Sequence, residues 1–324
     1  MNKPAWKLEA ARFQSLAALA VMVVALSASC DSFLTVDNLT NVLRQISVNL
    51  CLSMGMTLVI LSGGIDLSVG SALALSGAVA AGLLKHGVTL ERLNLSIQFT
   101  PLGAVVAGLL TGVAIGCANG ISITRFRLPP FVATLGMLSI ARGLTMLWTD
   151  GFPINSLGDD FGFIGAGRLF GLPMPIIIAS VLALLLSVVT RRTRFGRALY
   201  AVGGNERAAS LSGLNVARTK FTAYAICGGL AGVAGLITAA RLDAATPDAG
   251  VGYELDSIAA AVIGGTSLSG GRGSILGAVL GCLTIGVLNN GLVLLEVSPY
   301  WQQVIKGAVI LAAVAIDRST RRDD

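Results

Sequence analysis

Asp66 is the only formally charged residue in an apolar run of 39 residues, Ile46 to Leu84, and it stands almost at the middle of that run, in the segment SGGIDLSVGS from Ser62 to Ser71. A carboxylate so placed has two uses. It accepts hydrogen bonds from the free backbone N–H groups of a starting helix, or it lines a polar path and takes part in gating. Arg142 and Lys306 also fall within apolar blocks, as do four asparagines, Asn49, Asn119, Asn289 and Asn290. Charged groups in lipid are costly, so both cations should face the bundle interior, a partner or the interface. The amides are groups that a hydroxylated solute can exchange for water, or that tie helices together.

Other chemistry is missing. The only histidine is His86, so an H-E-x-x-H zinc site is impossible, and no G-x-S-x-G nucleophile elbow occurs. No Gly-Lys pair exists, which rules out a phosphate-binding loop of the G-x-x-x-x-G-K type. No series of intramembrane Asp, Glu and His is present to relay protons. The five cysteines (Cys30, Cys51, Cys117, Cys227, Cys282) have no metal or redox spacing and read as small apolar residues. The chain is therefore expected to be no enzyme, with no catalytic, cofactor or metal site, and any ATP it uses must be bound by another chain.

The elements that position these residues follow from composition. The chain is 54% hydrophobic and 12% charged, with a mean hydropathy of +0.79, against roughly 25% charged residues in an average soluble domain. Apolar blocks fall near 15–30, 46–62, 67–84, 98–121, 131–148, 173–190, 221–240, 256–270, 274–295 and 299–316. Most are long enough for a hydrocarbon core about 30 Å thick, the 256–270 block being short for a complete crossing. The expected fold is all-α: one polytopic membrane domain over residues 1–324, about ten transmembrane helices, and at least one broken-helix turn. The break belongs at Gly63 and Gly64, because residues 46–84 as one helix would be about 58 Å long. Asp66 would then cap a helix beginning at Leu67, at a membrane surface.

Basic residues set the orientation. With Lys3, Lys7 and Arg12 on the inside, so are Arg125, Arg127, Arg191, Arg192, Arg194, Arg197, Arg207, Arg218, Lys220, Arg272, Arg318, Arg321 and Arg322, sixteen of the 23 Lys and Arg. Arg44, Lys85, Arg92, Arg168 and Arg241 fall outside. Both termini are then cytoplasmic, and the net charge of +6 is a topology signal that gives no reason to invoke nucleic acid. The segment LSASC at 26–30 has some features of a leader, but it reads as part of an uncleaved first helix.

Glycine has its own pattern. Gly108, Gly112, Gly116 and Gly120 recur every four residues, as do Gly273, Gly277 and Gly281, making flat stripes on which helices approach closely. The pattern G-G-x-x-L-S-x-G occurs twice, at Gly63–Gly70 and Gly264–Gly271. Both copies fall at cytoplasmic ends of spans.

The loop 191–220 holds seven basic residues and one acid. Within it Asn205 can cap a short helix, Glu206 suits the first turn, and Gly213 can end it. Such a helix, carrying Ala208, Ala209 and Leu211, suits either insertion into a partner's groove or a plain connection between spans.

Over nearly its whole length after the first span, the chain resembles the membrane permease subunit of bacterial ATP-binding-cassette importers of monosaccharides, close to the ribose permeases. The segments that carry the resemblance are SGGIDLSVGS at 62–71, LPPFVATLGMLSIARGL at 128–144, GRALYAVGGNERAASLSGLNV at 196–216, the run from Ala240 to Gly281, and LNNGLVLL at 288–295. The resemblance implies a homodimer in the bacterial inner membrane, a cytoplasmic ATPase that binds ATP and Mg, and a periplasmic sugar-binding protein that selects the sugar. Gly204, Asn205, Glu206, Arg207, Ala208, Ala209, Leu211 and Gly213 then correspond to the coupling segment that enters the ATPase. Glu206, Ala209 and Gly213 match recognisable positions of that segment, and Arg207 interrupts its acid–alanine–alanine order. Outer loops such as Asp150 to Gly171 and Arg241 to Glu254 would meet the binding protein. Asn49, Asp66, Asn119, Arg142, Asn289 and Asn290 are the candidates for pathway or gating. Ribose is the first expected substrate, with other pentoses, galactose, inositol and furanone-like signals behind it. A cation-coupled carrier, or a receptor or scaffold that moves no solute, are the rival classes.

Overall fold

The computed structural model describes residues 6–90 and 95–322; Lys3 and Arg92, counted above in the charge bias, lie outside the described residues. In chain order the elements are α1 (Trp6–Ser29), α2 (Val36–Leu61), α3 (Val69–Lys85), β1 (Val88–Leu90), β2 (Leu95–Ile97), α4 (Pro101–Thr124), α5 (Pro130–Trp148), β3 (Ile154–Asn155), α6 (Asp159–Ala166), β4 (Arg168–Leu169), β5 (Leu172–Pro173), α7 (Met174–Arg192), α8 (Arg194–Gly204), α9 (Glu206–Leu211), α10 (Val216–Leu242), β6 (Ala244–Ala245), α11 (Tyr253–Ile263), α12 (Ile275–Leu294) and α13 (Pro299–Arg322). The strands form three small antiparallel pairs, β1–β2, β3–β6 and β4–β5. These pairs close connections between helices and, among the described residues, build no larger sheet.

Each of the ten apolar blocks carries a helix, but among the described residues six helices, α2, α4, α5, α7, α10 and α12, are long and apolar enough to cross a membrane by length and composition, fewer than the ten expected. The clearest departure is in the 256–270 block. Its helix α11 has 11 residues, about 16 Å of length, roughly half a hydrocarbon core.

Helices α2 and α10 form the centre, buried on nearly all sides, whereas α4, α5 and α7 are buried along one side only. The glycine stripes explain how α4 and α10 meet. They run antiparallel, with Gly112 against Gly228 and Gly232, Gly116 against Tyr224 and Gly228, and Gly120 against Phe221. A Cβ added at Gly112 would lie 2.8 Å from the Gly232 backbone, so only glycine permits this approach. The second stripe does the same for α12, whose Gly277 and Gly281 press on Gly264 and Ala260 at the end and on the flank of α11. Contacts this close are van der Waals packing between backbones, the interaction that holds helices together where no water is expelled.

The long apolar run turns back where expected, at Gly63 (φ +82°). Asp66 acts differently from the expectation. Helix α3 starts at Val69, after an N-cap residue Ser68 that makes no side-chain cap bond. The Asp66 Oδ1 accepts from the Ser68 N–H at 2.9 Å and from the Ser68 hydroxyl at 2.6 Å, a local turn of the kind aspartate favours. Asn119 on α4 donates to Ser68 Oγ at 2.8 Å and, more weakly, to both Asp66 oxygens. The carboxylate is 1% exposed. It is a buried knot between the turn and α4 rather than a cap at a water interface, because Asn119 covers it. Thr134 of α5 and Tyr224 of α10 each donate a hydroxyl to the Ile65 carbonyl at 3.3 Å, so three neighbouring helices, α4, α5 and α10, hold this turn.

Replacing Asp66 separates hydrogen bonding from charge. Asp66→Asn keeps an oxygen for Ser68, whereas Asp66→Ala leaves the Ser68 N–H, its hydroxyl and the Asn119 amide short of acceptors in a buried site, at a cost of about 1–3 kcal/mol. Thermal unfolding of the purified protein should show Asp66→Ala clearly less stable than Asp66→Asn. Equal losses would mean that the negative charge, not the acceptor, is what the turn needs.

Candidate functional site

The first feature is a short arm at the end of the bundle where α7 finishes. Thr193 caps α8, accepting from the Gly196 N–H at 3.2 Å, and α8 buries Gly196, Leu199 and Val202. Asn205, in extended conformation, then redirects the chain, and its Oδ1 accepts from the Ala208 N–H at 2.9 Å. Helix α9 ends at Leu211 with Ser212 as its C-cap, and Gly213 (φ +82°) leads to Asn215, which caps α10. The capped helix predicted from Asn205 to Gly213 is therefore present. Its inward residue is Ala209, while Arg207, Ala208 and Leu211 point away from the bundle, Leu211 with 83% of its surface exposed. Glu206 receives Lys220 Nζ of α10 at 2.6 Å. An exposed pair like this contributes about 0–1 kcal/mol, so it orients α9 more than it stabilises the fold.

The second feature lies beneath the arm, where three Gly-Gly pairs meet. Gly203 sits on the Leu61 carbonyl at the end of α2, and the Gly271 N–H donates to that same carbonyl at 3.1 Å. A Cβ at Gly203 would collide with both. Gly270 lies against the Gly203 carbonyl and the Gly63 Cα, each about as close as backbones come, at 2.8 and 3.1 Å from where its own Cβ would stand. Tyr200 of α8 donates to the Gly273 carbonyl at 2.9 Å. The two G-G-x-x-L-S-x-G segments thus touch, and α8 is wedged against both. The repeat was visible in the sequence, but the third pair, Gly203-Gly204, had no signal beyond being a glycine pair.

The polar residues expected in the pathway are dispersed. Asp66 and Asn119 come together in the knot described above. Asn290 exchanges two hydrogen bonds with Asn38, at 3.1 and 2.8 Å, joining α12 to α2. Asn49 and Asn289 are buried in α2 and α12, the Asn289 Oδ1 with no hydrogen-bond partner. Arg142 is elsewhere. Its guanidinium donates to the carbonyls of Pro247 at 2.6 Å and Ala249 at 2.9 Å.

That contact belongs to the third feature, a re-entrant stretch. Residues 241–254 were expected to form an outer loop. Instead, after β6 pairs with β3, the chain folds back along α3 until Gly250 meets Gly70. Gly70 is one turn before Leu73, which packs on Gly235 of α10. The 27 residues of α10 span about 40 Å, so Gly250 lies close to half-depth. The backbone of 246–253 makes single-turn bonds, Ala249 to Thr246, Val251 to Asp248 and Tyr253 to Gly250. Helix α11 resumes from there, and its Asp256 receives Lys306 of α13 at 3.2 Å. Lys306 therefore faces a buried partner, as a cation at that depth requires. Asp248 and Glu254 were assigned to an outer loop, because a Gly- and Ala-rich stretch next to a span looks like one, and Asp256, at the start of the 256–270 block, carried no signal of its own.

Comparison with known proteins agrees with this architecture. Residues 38–314 match the family described as the permease component of branched-chain amino acid transport systems. The chain is 47% identical to the ribose import permease protein of Escherichia coli strain K12 over 317 residues, 97% of this chain and 94% of that protein. It is 47% identical to the ribose import permease protein of Bacillus subtilis strain 168 over 302 residues, 93% of this chain and 90% of the relative. The D-allose transport system permease protein of Escherichia coli strain K12 is 43% identical over 292 residues, 90% and 86% of the two chains. No solved structure matches. Matched over nearly its whole length both by the family and by these relatives, the chain belongs to this family of membrane permeases, together with the ribose and D-allose permeases.

Proposed function

We propose that this chain is the membrane-spanning subunit of an ATP-driven importer that carries a monosaccharide, ribose first, across the bacterial inner membrane. The observation that carries the reading is α9: a capped helix outside the bundle, its apolar tip Leu211 fully presented, its base wedged through α8 against the turns that follow α2 and α11. Such an arm is suited to receive force from a partner rather than to close a loop. The 43–47% identity to sugar permeases supports the substrate class.

In this reading the α9 end is cytoplasmic, as are both termini, and the chain works as a homodimer with two copies of a partner ATPase that binds ATP and Mg. Gly204, Asn205, Glu206, Arg207, Ala208, Ala209, Leu211 and Gly213 form the coupling segment. Asn205 and Gly213 shape it, Ala209 anchors it, and Arg207, Ala208 and Leu211 enter the ATPase. Closure of the ATPases moves α9 and α8 as one body, and the Gly203 contact passes that motion to the two glycine turns. Asp66 with Asn119 keeps the first turn rigid while it moves. Asn290, bonded to Asn38, holds α12 to α2, and Asn49, Asn289 and Arg142 stand on the pathway. A periplasmic binding protein delivers the sugar at the opposite end. Low intrinsic affinity suffices for the permease itself, since selection has already taken place.

Uptake of labelled ribose by cells with and without this gene tests the reading, with unlabelled galactose, xylose and inositol as competitors. Gene-dependent uptake suppressed by ribose and not by the others is the expected result. Ala208→Arg with Leu211→Arg, both on the outward face of α9, should reduce that uptake at least tenfold at unchanged membrane abundance. Unimpaired uptake in this variant would remove α9 from the coupling route, and uptake that collapses on dissipating ion gradients at constant ATP would favour a cation-coupled carrier.

A further inference from the structure

Helix α7 leaves a groove open along the half nearer α8. Between α7, α2 and α12 a cleft of about 740 Å³ is lined by Leu50 of α2, by Ala183, Leu184 and Val188 of α7, and by Leu276 and Val279 of α12. Its size falls in the range of about 300–1,000 Å³ that holds a bound small molecule. Leu184 and Val188 are 69% and 50% exposed, so the groove opens on the apolar side of a membrane span, where hydrocarbon is its surroundings.

The mouth of the groove is basic. Arg191 and Arg192, in the last turn of α7, line it and are exposed, and no acid stands among the lining residues. Among the described residues neither guanidinium pairs with a carboxylate. Basic residues gather at this end of membrane proteins as a topology signal alone, and Arg125 and Arg127, exposed after α4 and away from the groove, are of that kind. Arg191 and Arg192 differ in standing where an apolar cleft begins.

Depth fits one leaflet. From Ser180, at the far end of the groove, to Arg192 is about 18 Å of helix, against about 15 Å for half of a hydrocarbon core. On α2, Leu50 stands about 16 Å before Leu61, so both walls run from near mid-membrane to the same end. Ser187, one turn deeper than Arg191, adds a hydroxyl with no hydrogen-bond partner among the described residues, at the level of a lipid's ester groups when its phosphate lies on the guanidiniums.

We propose that this groove holds one anionic phospholipid of the leaflet at the α8–α9 end, with an acyl chain between α7, α2 and α12 and the phosphate on Arg191 and Arg192. A guanidinium meets phosphate through paired N–H···O bonds, and basic pockets between transmembrane helices take anionic headgroups. A zwitterionic headgroup brings its own ammonium beside the phosphate, which offsets the attraction. The bound headgroup lies against the joint between α7 and α8, because Thr193, the α8 cap, follows Arg192 directly.

Native mass spectrometry of the purified full-length chain in detergent tests this, with dioleoylphosphatidylglycerol and dioleoylphosphatidylcholine as probes. The expected result is one phosphatidylglycerol per chain, bound at least tenfold more tightly than phosphatidylcholine and not displaced by excess inorganic phosphate. Arg191→Gln with Arg192→Gln should abolish that preference, whereas Arg125→Gln with Arg127→Gln, which removes the same charge from the same end, should keep it. Ser180→Trp, which places bulk at an exposed position of the groove, should weaken phosphatidylglycerol binding at least fivefold with both arginines in place. Equal binding of the two lipids, or equal loss in the two double variants, overturns the proposal. Displacement by inorganic phosphate makes the arginines an ordinary anion contact and overturns the lipid, and undiminished binding in Ser180→Trp takes the acyl chain out of the groove. A Leu184→Cys chain that forms a disulfide-linked dimer on mild oxidation in native membranes, beyond the wild-type level, gives the groove to a second copy of the chain and overturns the proposal as well.

Discussion

Backbone hydrogen bonding is the constraint on which this molecule depends. Inside a bilayer an open N–H or carbonyl has no water to turn to, yet the chain interrupts its helices at three places, one near half-depth and two at the end of the bundle that carries α8 and α9. Each interruption is closed by protein. At 62–68 Asp66 takes the Ser68 N–H, and hydroxyls from two other helices take the Ile65 carbonyl. At 246–253 Arg142 takes two carbonyls. At 264–274 the Gly271 N–H reaches the end of α2, and Tyr200 reaches Gly273. Breaks that are tied off in this way hold their shape, and each links helices that otherwise run side by side without a fixed register.

Glycine makes those links possible. Between α4 and α10, and again between α12 and α11, backbones touch directly, and dispersion over such surfaces replaces the hydrophobic effect that lipid does not supply. Helices packed so tightly move as bodies rather than bending. A displacement applied to α8 is then felt at the ends of α2 and α11, where it meets bare backbone that has no side chain to absorb it.

Much of this was legible in the sequence because it is local. The ten apolar blocks, the break at Gly63, the capped α9 and both glycine stripes depend on residues within a turn or two of one another. What escaped depends on distant partners. Asp66 looked like a helix cap because nothing in its own segment reveals Asn119, 53 residues away. Arg142 and Lys306 were recognised as costly, but their partners lie far away in the chain: the Pro247 and Ala249 carbonyls in a stretch whose Gly and Ala content imitates an outer loop, and Asp256 in α11. The half-length of α11 was foreshadowed by a short apolar block. The reason, a chain that enters from one end to half-depth before turning helical, is visible only in three dimensions. The contact of the two repeat copies likewise has no local signature.

The most direct measurement is ATP hydrolysis and labelled ribose import, taken together, in vesicles holding the reconstituted complex with Gly203→Ala or with Gly204→Ala. A methyl group at Gly203 collides with the Leu61 carbonyl and the Gly271 N–H, whereas one at Gly204 meets nothing within 4 Å. If motion of α9 reaches the pathway through this backbone contact, Gly203→Ala lowers import at least tenfold while hydrolysis continues, and Gly204→Ala leaves both near wild type. Import by Gly203→Ala at the wild-type rate would contradict the account.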